Sequence, residues 1–227
     1  MTLPEAKVSV QQIGNEREPL VIIDNFTGQP ERLRAMGQAA RYDSAGADYP
    51  GLRAPADPSY LDIRRDLMMQ IVGRVFGIQR GISCEICAFS IVTSPEADLK
   101  PSQRIPHHDH SDAGRIAIMH YLDGPESGGT AFYRHKRTGY EKITPEREAA
   151  YFGALEEDLR DYGEPPAAYP SADNDRFEQI GAVEARVDRL ALYRGRQLHS
   201  GIIPQPGALS ADPAKGRLTV NMFLFGS

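Results

Sequence analysis

Residues 216–224 read GRLTVNMFL, with Arg217, Thr219 and Asn221 alternating with Leu218, Val220 and Met222. A period of two puts successive side chains on opposite faces of a strand, so this one has a polar face and an apolar face. The polar face can line an internal cavity, and the apolar one can pack against helices. Outward from this stretch, strand-like runs at 84–93, 103–109, 115–122, 129–134, 178–184, 188–194 and 217–225 are separated by turn residues. Many short strands after a helical layer predict a mainly β fold with flanking helices.

The N-terminal third supplies that layer. LVIID at 20–24 reads as a short strand, followed by a helical stretch at 29–41 and a Pro/Gly-rich loop at 43–58. From Tyr60 to Phe76, Leu61, Ile63, Leu67, Met68, Ile71, Val72 and Val75 recur at spacings of three and four, which predicts an amphipathic helix in need of a sheet to cover. Residues 144–162 form a further helix, opening at Thr144-Pro145. It lies within an insertion, 134–176, placed to cover a pocket mouth. One domain over 1–227 is expected, with a strand and helical layer in 1–80 and a β core in 83–227.

Bulk composition removes several classes of partner. The 227 residues carry a net charge of -5 and are 41% hydrophobic and 25% charged, with a pI near 5.7 and a mean hydropathy of -0.44. Nucleic acid and anionic membranes need a basic face, so neither is expected as a partner. No apolar run approaches a membrane span and MTLPEAKVSV lacks the features of a secretory signal, so a cytoplasmic location is expected. Cys84-x-x-Cys87 has no second pair to complete a zinc site. On a regular strand the two would face opposite ways, so they read as buried, inert thiols.

Three of the six histidines, His107, His108 and His110, fall in PHHDHSD at 106–112. In an extended strand His107 and Asp109 share a face, while His108 and His110 take the other. His107-x-Asp109 is then a two-ligand edge, and His199, after an apolar strand, is the candidate third ligand. Two His and one carboxylate on one side of a metal suit non-haem Fe(II) oxygen chemistry. The overlapping pair His110-x-Asp112 competes, although Ser111-Asp112-Ala113-Gly114 reads as a turn. Arg217 in a pocket needs an anion, best a bidentate carboxylate, to which Tyr121 could add a hydroxyl. The rival for Arg217 is a structural ion pair. His120 and His135 read as solvated or hydrogen-bonded side chains. The basic run Tyr133–Arg137 and the acidic stretch 155–161 read as solvated faces rather than substrate sites.

The order His107-x-Asp109, Tyr121-Leu122-Asp123, Gly128-Gly129-Thr130-x-Phe132, His199-Ser200-Gly201 and Arg217-x-Thr219 resembles the Fe(II)/2-oxoglutarate oxygenases of the prolyl-4-hydroxylase type, in particular a bacterial branch with a GGTAFYRH motif. The matching motifs span roughly 84–225. The resemblance implies a double-stranded β-helix, a cupin-like jelly roll packed against the N-terminal helices. It implies iron on His107, Asp109 and His199, and 2-oxoglutarate chelating it with its distal carboxylate on Arg217, Thr219 and Tyr121. The implied reaction consumes O₂ and usually hydroxylates the substrate, here an unidentified small molecule, amino acid or peptide. Asp109 argues against halogenation, which in this family goes with loss of the metal carboxylate. The competing readings are a cupin-type metal-binding protein or metalloenzyme that does not use 2-oxoglutarate, and a non-catalytic jelly-roll binding module. A monomer and a homodimer both fit the sequence.

Overall fold

The structure is a computed structural model, and it describes residues 3–46, 49–170 and 172–227. The N-terminal part holds β1 (Lys7–Ile13), β2 (Glu18–Asp24), α1 (Pro30–Ala39), β3 (Asp43–Ser44), β4 (Gly51–Pro55) and α2 (Arg65–Arg74). There follow β5 (Ser83–Val92), β6 (Arg115–Tyr121), β7 (Gly129–His135), α3 (Glu148–Tyr162), β8 (Phe177–Glu184), β9 (Arg189–Arg194), β10 (His199–Ile202) and β11 (Leu218–Phe225). Eight strands form one sheet in the order β1-β2-β9-β6-β11-β5-β4-β3, and three form a second, β10-β7-β8. All the pairings are antiparallel.

The alternation in β11 builds the layers. Met222 and Leu224, with Ile116, Ile118, Leu190 and Leu192 of neighbouring strands, pack against Met68, Ile71 and Val72 of α2. Leu218 and Val220 meet Leu33 of α1 and Phe89 of β5. On the opposite face, Ala117, Tyr121, Ala191 and Tyr193 meet Phe132 and Val183 of the small sheet. Each buried aliphatic side chain contributes about 1.5–3 kcal/mol, and a one-residue slip would turn a whole row of them to the wrong side. α1 lies close because residue 37 is glycine: a Cβ there would stand 2.9 Å from the Phe89 ring.

Four expectations are corrected. The stretch 43–58 is not all loop, because β3 and β4 extend the large sheet beyond β5. Gly51 permits this, since a Cβ on it would collide with the backbone oxygen of Ile91. The helix expected over 60–76 is split into a 3-10 segment, Pro58–Arg64, opened by Asp57 accepting from the Ser59 N–H, and α2 from Arg65. The strand expected at 103–109 is a 3-10 turn at Pro101–Gln103 and a single antiparallel bridge from His107 to His199. Pro101 and Pro106 have no N–H to give a ladder.

The fourth correction concerns the thiols. Cys87 pairs with Met222 and Cys84 with Leu224, and the register shift between them leaves Glu85 without a partner. This bulge cancels the odd spacing and puts both cysteines on the helix-facing side. Cys84 is exposed and Cys87 half-buried, so neither is fully enclosed, and both are free thiols. No helix among the described residues is long and apolar enough to cross a membrane.

Candidate metal centre

Three side chains named from sequence converge. One donor atom from each of His107, Asp109 and His199 lies within 4.8 Å of the others. Asp109 Oδ1 is 3.8 Å from His107 Nε2, and its Oδ2 is 3.5 Å from His199 Nε2. The backbone fixes this arrangement. His107 and His199 bond to each other through both N–H and C=O groups, and the Asp109 N–H donates to Gly195 O at 2.7 Å. His107 and Asp109 therefore share the site although 103–109 is not a regular strand.

The donor chemistry suits a divalent ion. His199 Nδ1 lies 2.8 Å from the Gln197 carbonyl oxygen, which can only accept, so Nδ1 carries the proton and Nε2 turns its lone pair to the cluster. Burial pushes the His199 imidazole down to about 4, outweighing the bond to Gln197, so the ring is neutral at pH 7. Asp109 Oδ2 is buried and has no hydrogen-bond partner. Burial also pushes the Asp109 carboxyl up, against the pull of His107, His108, Arg53 and Arg115. An unpartnered carboxylate oxygen between two imidazole nitrogens is costly unless a cation joins them. The residues present fit a metal.

The alternative pair is occupied elsewhere. His110 Nδ1 accepts from the Asp112 N–H at 3.0 Å, and Asp112 Oδ1 accepts from the Gly114 N–H at 2.6 Å, as a turn requires. His108 packs its ring against Tyr151 and Phe152 of α3. His120 is buried and bonds Asp188 at 3.1 Å, and His135 bonds Asp158 at 2.8 Å, so both are hydrogen-bonded rather than solvated. The basic and acidic runs neutralise one another: Arg137 pairs with Glu157, Asp158 and Asp161.

The predicted anion-binding residues sit on the same cavity face. Thr219 of β11 stands opposite Tyr121 of β6. Tyr121 shares a 2.7 Å hydrogen bond with Thr130 Oγ1, and Thr219 donates to Asn221 Oδ1 at 2.9 Å. Arg217, immediately before β11, is buried. It donates through Nε to Ser127 O at 2.8 Å and through Nη2 to Gly129 O at 3.0 Å. Its partners are backbone carbonyls, not the structural carboxylate considered from sequence. Burial raises the Tyr121 phenol, and its bond to Thr130 and the charge of Arg217 work against that.

Sequence reasoning missed Tyr193. Its ring packs on His199 at 4.8 Å between centroids and on Phe132 at 5.0 Å. The signal was the alternation in RLALYR, which turns Leu190 and Leu192 to the helices and Ala191 and Tyr193 to the cavity. Arg53 was also missed, because it falls within the segment read as a loop.

A mainly β fold with a two-His, one-carboxylate cluster between its sheets defines the class. The chain belongs to a family of unknown function, DUF6445, whose model matches residues 4–224. No curated protein is similar to it in sequence. Among solved structures it is similar to the epimerase SnoN in complex with Fe3+, alpha-ketoglutarate and nogalamycin RO. The TM-score is 0.50 at 12% identity, over 93% of this chain and 80% of that one. It is also similar to HygX from Streptomyces hygroscopicus with nickel, 2-oxoglutarate and hygromycin B bound (TM-score 0.48, 14% identity, 92% and 83% of the chains). A third is an N-substituted L-amino acid dioxygenase from Burkholderia ambifaria AMMD (TM-score 0.43, 9% identity, 98% and 94%). At 12% identity the likeness to SnoN is one of fold.

Proposed function

We propose that this chain is an Fe(II)- and 2-oxoglutarate-dependent oxygenase that hydroxylates a small molecule, amino acid or peptide. The observation that carries the reading is the meeting of His107, Asp109 and His199 around an unpartnered carboxylate oxygen. Strand allocation supports a double-stranded β-helix beneath it. From β5 onward the chain alternates between sheets: β5 large, residue 107 on the edge of the small sheet, β6 large, β7 and β8 small, β9 large, β10 small, β11 large. When bound, the iron would supply the activation of O₂ that couples conversion of 2-oxoglutarate to succinate and CO₂ with oxidation of the substrate.

The protein's part is binding and orientation. Asp109 balances charge at the metal, and the Gln197 carbonyl holds the His199 ring in its ligating tautomer. Arg217 receives the distal carboxylate of 2-oxoglutarate. Two of its five N–H donors are held by Ser127 and Gly129, which fixes the guanidinium and leaves donors free. No carboxylate among the described residues lies within ion-pair distance of it. Thr219 and Tyr121 line the same face. Segment 134–176 reaches the metal-binding stretch through α3, whose Tyr151 and Phe152 touch His108, as a cover over the site would.

The test is the weak visible charge-transfer band on anaerobic addition of Fe(II) and 2-oxoglutarate, followed by succinate release on admitting O₂. Loss of a charge-assisted carboxylate contact of about 3 kcal/mol predicts roughly a hundredfold rise in the 2-oxoglutarate needed by Arg217→Met. No band and no succinate from the wild type would overturn the reading.

A further inference from the structure

A second arginine stands on the cavity face of the large sheet. Arg53 of β4 pairs with Ser90 of β5, Ser90 with Thr219 of β11, and Thr219 with Tyr121 of β6. Directly opposed residues share a face, so these four form one row across the sheet. Other arginines on this side of the sheet have protein acceptors: Arg189 bonds Asp24, Arg115 pairs with Glu85, and Arg217 holds two carbonyls. Arg53 differs. Its Nε is buried without a hydrogen-bond partner, as is that of Arg115, but among the described residues no carboxylate lies within ion-pair distance of it.

The neighbour of Arg53 is in the same condition. The guanidinium lies 4.4 Å over the Tyr49 ring, and the Tyr49 hydroxyl is itself buried and unpartnered. Ser90 stands beside that hydroxyl, and its own hydroxyl lies 3.4 Å from Ala88 O. Each buried donor left unmade costs about 1–3 kcal/mol, and an unpaired cation costs more. The ring covers one face of the guanidinium, and the Arg53 side chain is half-buried. An edge carrying Nε and an Nη is the geometry that takes a planar carboxylate with two parallel bonds.

We infer that Arg53 and Tyr49 form a subsite for a carboxylate of the primary substrate, which makes that substrate a carboxylic acid. This rests on the oxygenase reading above and names its substrate class. Arg53 is placed for it by the cross-strand row that puts it on the cavity face with Ser90, Thr219 and Tyr121. Arg217 lies nearer the end of the sheet, where the Ser127 and Gly129 carbonyls hold it. The two cations thus serve two anions, Arg217 the cosubstrate and Arg53 the substrate.

The experiment screens carboxylic acids, each against its matched primary amide, for succinate release above the substrate-free background. It is paired with a titration of metal-free protein with [1-13C]propionate followed by line broadening, with Arg217→Met in every form compared so that the other carboxylate site is removed. Acids that stimulate turnover where their amides do not, with propionate binding weakened at least tenfold in Arg53→Met and less in Tyr49→Phe, support the inference. Arg53→Lys, which keeps the charge and loses the paired bonds, should fall between wild type and Arg53→Met and guards against a folding artefact. Equal response to acids and amides, or propionate binding that survives in Arg53→Met, overturns it. So does a tenfold rise in the 2-oxoglutarate required by Arg53→Met, which would assign the residue to the cosubstrate. If the wild type makes no succinate, the oxygenase reading fails, and the propionate titration still decides the subsite.

Discussion

His107 and His199 exchange both of their backbone hydrogen bonds, at 2.9 and 2.8 Å, and so stand ring beside ring with 4.5 Å between centroids. One imidazole comes from the turn-rich segment before β6 and the other from the start of β10. Asp109 is held beside them through Gly195. The main chain therefore does the positioning, and side-chain substitutions at the cluster should change metal binding more than folding.

Mn(II) serves as a redox-quiet probe of that expectation. At a free concentration about a hundred times its Kd, the metal should stabilise the wild type by about 2.7 kcal/mol, or roughly 5–10 °C in Tm for a chain of this size. Asp109→Ala and His199→Ala should show no shift. Without metal, Asp109→Asn should melt no lower than the wild type, because it removes a buried charge whose Oδ2 has no protein partner. A metal-induced shift retained in both alanine variants would move the site.

Acid stability should depend on Asp188. Burial pushes its carboxyl up, but bonds from His120 Nε2, the Thr27 N–H and the Thr27 hydroxyl outweigh this and leave it below its ordinary value of 3.8. A depressed folded-state value means that the stabilisation is present above the unfolded value and is lost as pH falls through the folded one. Asp188→Asn should therefore cost about 3 kcal/mol at pH 7, where a buried partner of His120 is lost, and less at pH 3, below the ordinary value. Urea denaturation at the two pH values measures the difference, and an equal cost at both would contradict the assignment.

Gly128 should prove irreplaceable. Its φ is +93°, and a Cβ there would lie 2.0 Å from the Ile202 backbone oxygen. Gly128→Ala should destabilise by about 1–3 kcal/mol from backbone strain alone, with the collision adding to it. Because the flanking carbonyls of Ser127 and Gly129 hold Arg217, the variant should also need more 2-oxoglutarate for half-saturation. Thermal unfolding and succinate assays read the two effects separately.

The two thiols should react at different rates. Burial pushes Cys87 up to about 12 and raises Cys84 as well, but Cys84 is exposed. A disulfide reagent at pH 8 should modify Cys84 first, more slowly than a free thiol, and Cys87 only on unfolding. Mass spectrometry of the singly labelled protein identifies the site, and prior labelling of Cys87 would contradict the order.

The layers and the site were legible in different ways. Alternation in 217–224 correctly gave β11 its two faces, because a strand buried on one side and lining a cavity on the other cannot hide its period. His107 and Asp109 come together as expected, but by another route: a regular strand was inferred where prolines leave only one bridge, and spacing alone does not distinguish these. β4 was unreadable because Pro50, Gly51 and Pro55 look like turn punctuation, whereas Gly51 is there to let two backbones approach. With β4 hidden, Arg53 was hidden too. The bulge at Glu85 left no mark in the sequence, since an unpaired residue is a property of the partner strand as much as of its own.

β1 pairs with β2 along its whole length, yet every residue from Lys7 to Gln12 is exposed and only Ile13 enters the core. The first strand is thus fastened by main-chain bonds and a single side-chain peg. Its amides should exchange with deuterium before those of the inner strands of the large sheet, and trimming the chain back past Gln12 should leave the cup standing.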